Sequence, residues 1–82
     1  MERRKGSYIF NDKRITWQGK AQAIHVIADA TFTAIRDTRN QQARYYIAME
    51  NEVIKAGAVI AARDGAQFTA IGISAGAVEI IF

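Results

Sequence analysis

Apolar residues recur along this chain with three different rhythms, and each rhythm predicts a different element. Tyr8-Ile9-Phe10 and Ile15-Thr16-Trp17 are runs of β-branched and aromatic residues around a polar Asn11-Asp12-Lys13-Arg14. That pattern predicts a β-hairpin over residues 7–18. A two-residue turn at Asp12-Lys13 would pair Phe10 with Ile15 and Tyr8 with Trp17. Those four side chains would then share one face and pack, while Ser7, Ile9, Asn11, Arg14, Thr16 and Gln18 face solvent. The turn lacks the glycine that a type I′ loop prefers, so a longer loop is the alternative.

Residues 20–62 follow a helical rhythm. Ile24, Ile27, Ala28, Thr31, Ala34 and Ile35 recur at spacings of three and four, and Tyr46, Met49, Val53, Ala56 and Ile60 continue the pattern, widened by Ile47, Ile54 and Ala58. The stretch Asp37–Gln42 is polar, and Thr38 with Gln41 forms a possible capping box. Two helices with a break near 37–40, or one helix of about 43 residues and roughly 64 Å, both satisfy the pattern. The break is favoured because a domain of this size has a radius of gyration of only about 12 Å.

Arg63-Asp64-Gly65 reads as a helix stop. Phe68–Ile73 and Ala77–Phe82 then read as two strands around Ser74-Ala75-Gly76, a second hairpin within 66–82. The expected fold is α+β, in the order ββ-α(α)-ββ: two β-hairpins forming an antiparallel sheet packed against a long or broken helical segment. One domain, 1–82, is expected, with residues 1–6 as a basic flexible tail.

Composition narrows the chemistry. The 82 residues contain no cysteine, which removes disulfides and thiolate catalysis and fits a reducing compartment. No apolar run is long enough to cross a membrane as a helix, and no apolar signal-peptide core follows the basic N-terminus. A cytoplasmic location is expected, and a phage or plasmid origin is compatible with the composition. His25 is the only histidine. In a helix Asp29 would lie one turn away, a surface ion pair rather than half of a triad. Gly72-Ile73-Ser74-Ala75-Gly76 matches a nucleophile-elbow pattern, but a strand rather than a helix is expected after it, so its glycines read as hairpin residues. Eight carboxylates and one histidine show no metal-ligand spacing. The protein is therefore expected not to be an enzyme and to use no cofactor or metal.

Charge is distributed unevenly. Residues 1–20 carry Arg3, Arg4, Lys5, Lys13, Arg14 and Lys20 against only Glu2 and Asp12, and from Ala66 to Phe82 the only charged side chain is Glu79. Basic side chains interleaved with Tyr8, Phe10 and Trp17 suit nucleic acid, because charge neutralises phosphates and rings stack on bases. The favoured expectation is a small binding protein that contacts nucleic acid through Arg3, Arg4, Lys5, Lys13, Arg14 and Lys20. The alternative is a protein–protein interaction module, such as a mobile-element inhibitor or an assembly factor, that uses the apolar C-terminal strand ending Ile80-Ile81-Phe82. A thin core also favours a homo-oligomer.

Overall fold

The computed structural model describes residues 6–42, 45–47 and 52–82. Its strands are β1 (Ser7–Phe10), β2 (Trp17–Ala21), β3 (Ala23–Asp37), β4 (Val53–Ile54), β5 (Val59–Ala61) and β6 (Phe68–Ile81). They form one six-stranded antiparallel sheet, and no α-helix occurs among the described residues. The expected α+β fold is therefore replaced by an all-β one.

β3 and β6 form a long central ribbon. β1 and β2 lie end to end along the free edge of β6, and β5 and β4 along the free edge of β3. Both expected hairpins are overturned. β1 and β2 pair with β6 rather than with each other, and β6 runs unbroken from Phe68 to Ile81. The segment 11–16 bridges two collinear strands, which suits its lack of a turn glycine.

The helical stripe expected in residues 23–37 is not the buried set: of Ile24, Ile27, Ala28, Thr31, Ala34 and Ile35 only Ile24 and Ile35 are buried. Pairing between β3 and β6 slips register five times. Each bulge adds a residue to one strand and breaks the alternation of side chains. The buried positions of β3 are Ile24, Val26, Ala30, Phe32, Ile35 and Asp37, so steps of two are interrupted by steps of four and three. Ile24, Val26, Ile27, Thr31, Thr33 and Ile35 are β-branched, a composition that favours strand. In residues 53–61, Gly57 adopts φ 96° and turns the chain between β4 and β5. Thr38 makes no helix cap: its hydroxyl accepts from the Gln67 amide.

Bulges also bend strands, and here they curl the ribbon almost back on itself. Ala21 pairs with Phe68, and Ala23, two residues later, pairs with Ile81 at the far end of β6. Paired Cα atoms about 5 Å apart and a two-residue step of about 7 Å bring the ends of β6 within roughly 18 Å, against roughly 43 Å for a straight strand. Trp17 of β2 accordingly meets Phe82, with ring centroids 5.9 Å apart.

The core lies inside the curl and is built from Phe10, Ala21, Ile24, Val26, Ala30, Phe32, Ile35, Ile47, Phe68, Ile71, Ile73, Val78 and Ile80. Of the four side chains expected to pack together, Phe10 is buried and Trp17 half-buried, while Tyr8 and Ile15 are exposed. The C-terminal strand offered as an interaction face is a central one, with Ile80 fully buried.

A buried carboxylate closes the end of the ribbon. Asp37 is only 3% exposed. Its Oδ1 accepts from the backbone amides of Arg39 and Gln41, and its Oδ2 accepts from the Tyr46 hydroxyl. Burial alone would raise the Asp37 pKa, but these three donors together hold it below the usual value. Tyr46 is pushed up to about 12 by burial and by its bond to Asp37. A carboxyl depressed by folding stabilises the fold above its ordinary pKa, and that contribution disappears as pH falls through its folded value. Asp37→Asn should therefore lower stability by about 1–3 kcal/mol at neutral pH and flatten the acid limb of stability against pH. Thermal melts from about pH 7 down to about pH 2 measure both effects. An unchanged acid limb in the variant would exclude Asp37 as its source.

Candidate functional site

Of the six basic residues expected to form a site, three lie among the described residues. Lys13, Arg14 and Lys20 are all exposed. Arg14 binds the Asp12 carboxylate through its Nε at 3.2 Å, which holds Asp12 below and Arg14 above their ordinary pKa values. Lys13 Nζ donates to the carbonyls of Asn11 and Gly76. Arg3, Arg4 and Lys5 lie outside the described residues. The aromatic partners are mostly spent elsewhere: Phe10 is in the core and Trp17 packs on it, which leaves Tyr8 exposed.

The other face of the sheet holds a different constellation. Ile9 of β1, Glu79 of β6, His25 of β3 and Val59 of β5 are cross-strand partners in a single row. Directly opposed residues point to the same side of a sheet. The neighbouring row Phe10–Val78–Val26 is buried, so the Ile9–Val59 row faces outward. Ile9 is 53% and Val59 61% exposed. Half-buried Ile81 and Ala23 and exposed Ala61 form the next outward row.

At the centre of this face His25 Nδ1 lies 3.2 Å from Glu79 Oε1, and Ser7 Oγ donates to Glu79 Oε2 at 2.7 Å. The Ser7 and His25 bonds hold the Glu79 carboxyl below its usual pKa. The carboxylate stands between hydroxyl and imidazole, so His25 cannot take the Ser7 proton as a triad histidine would. The expected partner Asp29 is instead bound to the Ala56 amide and Lys55. Sequence reasoning missed the Glu79 pairing because a strand register separated by 54 residues leaves no local signal. Ser74 is exposed within β6, away from any strand-to-helix turn.

Two other features complete the surface. Asn40, Gln41, Gln42 and Tyr45 line an open depression of about 460 Å³. Beside it, Tyr45 donates to Asp64, and the Arg63 guanidinium lies 5.4 Å from the Tyr45 ring centre. No three His, Cys, Asp or Glu residues among the described ones converge to hold a metal.

No known protein clarifies this arrangement: no family model, curated protein or solved structure matches the chain. The outward row of apolar and charged residues is thus read from its own geometry.

Proposed function

We propose that the protein is a non-enzymatic association module that docks on other protein through the outer face of β1, β6, β3 and β5. The observation that carries this reading is the exposure of Ile9 and Val59 in one register row. The solvated face of an antiparallel sheet is ordinarily polar. Here the described residues put no second layer over an apolar one, and such patches mark interaction surfaces. The polar groups at its centre, Ser7, Glu79 and His25, already bond one another. Covering them therefore carries a smaller penalty than burying bare polar groups.

Nucleic-acid binding is the second reading, supported by the exposure of Lys13, Arg14 and Lys20. One experiment separates the two. Bead-bound chain is incubated with nuclease-treated extract of its own cells, and retained proteins are quantified by mass spectrometry. In parallel, soluble chain is titrated with oligonucleotides at several salt concentrations. The docking reading expects Ile9→Asp with Val59→Asp to abolish protein retention, and alanine at Lys13, Arg14 and Lys20 to leave it intact. The nucleic-acid reading expects the triple alanine variant to flatten the slope of log K against log salt by up to about 3 units. Retention indifferent to Ile9 and Val59 would overturn the docking reading.

A further inference from the structure

Across the sheet the exposed row reads apolar, acid, base, apolar: Ile9, Glu79, His25, Val59. This order is complementary to its own reverse. We infer that the occupant of the face is a second copy of this chain, related by a two-fold axis parallel to the strands and passing between β6 and β3. The inference rests on the docking reading and specifies its partner.

The geometry follows from strand spacing. Strands about 4.8 Å apart place the four residues symmetrically about the line between β6 and β3, with the polar pair inside and the apolar pair outside. Rotation about that line sets each Glu79 against the partner copy's imidazole and each Ile9 against its valine. The contact is isologous, so both copies use the same patch. Polar groups thus oppose polar groups, and apolar side chains oppose apolar ones. Only Nδ1 of His25 has a hydrogen-bond partner among the described residues. Nε2 thus remains to reach across the interface, where Glu79 of the other copy presents carboxylate oxygens with spare lone pairs. Ile27, exposed two positions beyond His25, extends the apolar area along β3.

Four strands span only about 15–20 Å. The patch is smaller than the roughly 800 Å² per partner of a standard interface, which implies a reversible, concentration-dependent dimer.

The test combines sedimentation with cross-linking, using the full chain. The wild type is expected to shift from monomer to dimer as concentration rises. Val59→Lys and His25→Glu should each weaken association by about tenfold or more, the latter by setting two carboxylates against each other. Adding Glu79→Lys to His25→Glu should restore it, because the new lysine then faces the new glutamate. The chain has no cysteine, so an engineered pair reports contact directly. A bis-maleimide about as long as the ~10 Å spacing of facing sheets, added to a mixture of Ile9→Cys and Val59→Cys chains, should give the mixed cross-linked dimer, and either variant alone should give little. Across the two-fold axis two copies of the same position are at least about 14 Å apart, beyond the reach of such a linker.

A wild type that sediments as monomer throughout, or cross-linking no greater in the mixture than in either variant alone, overturns the second-copy assignment. If such a monomer still retains other proteins through Ile9 and Val59, the docking reading survives with a different partner. If that retention is lost too, both fall.

Discussion

Gly76→Ala should destabilise the protein by about 4 kcal/mol or more, a large share of the roughly 5–15 kcal/mol that holds a typical domain together. Gly76 lies within β6 at φ 84°, where an L side chain already costs about 1–2 kcal/mol. A Cβ there would lie 2.2 Å from the Asp29 carbonyl oxygen, 2.7 Å from the Ala30 Cα and 2.8 Å from the Ala28 carbonyl oxygen. All three are backbone atoms of β3, so no rotamer change relieves the contact. The two strands must separate in the stretch where register shifts cluster. Gly57 provides the control, because it has φ 96° but no atom lies within 4 Å of the position a Cβ would take. Gly57→Ala should lose only the conformational part, about 1–2 kcal/mol. Urea melts of both variants give the comparison. Equal losses would mean that backbone conformation alone, and not strand contact, fixes glycine at 76.

Phe10→Ala should cost about 3–5 kcal/mol, the range for truncating a buried aromatic. Phe10 is 1% exposed and ends β1, where it pairs with Val78 and enters the core inside the curl. Ile15→Ala should change stability by less than about 0.5 kcal/mol, as exposed substitutions do, since Ile15 is 56% exposed. The pair is informative because a simple hairpin would bury both residues together. Denaturant melts showing similar losses for the two would restore that hairpin and refute the placement of β1 and β2 on β6.

Short segments dense in aromatic and β-branched residues were the legible ones. Tyr8-Ile9-Phe10 and Phe68–Ile73 are recognisable as strand from their residue types, and both form strand. Their partners were not legible, because the polar stretch 11–14 resembles a turn whether the chain reverses or runs on. Residues 23–37 misled for a physical reason. Bulges displace the inward set by one residue and break its alternation, and of the helix-like stripe only Ile24 and Ile35 lie inward. The β-branched content of that segment was the better guide. Gly72 and Gly76 resemble turn residues in sequence but serve close approach within one strand. Charge located the exposed Lys13, Arg14 and Lys20. The Ile9–Glu79–His25–Val59 row depends on pairing among four strands spread over the whole chain, and no window of sequence contains it.

The central ribbon also shapes how the chain reaches its fold. β3 ends at Asp37 and β6 begins at Phe68, with residues 38–67 between them. Their pairing must therefore close a long loop before it gains any stabilisation, and β1 then has to find residues 78–81 near the opposite end of the sequence. Topologies dominated by such distant pairings fold in milliseconds to seconds rather than microseconds. Until β6 arrives, the apolar side of β3 lacks the cover that β6 brings and the edge β6 occupies is unpaired. The newly made chain consequently passes through an interval in which it is most prone to stick to its neighbours.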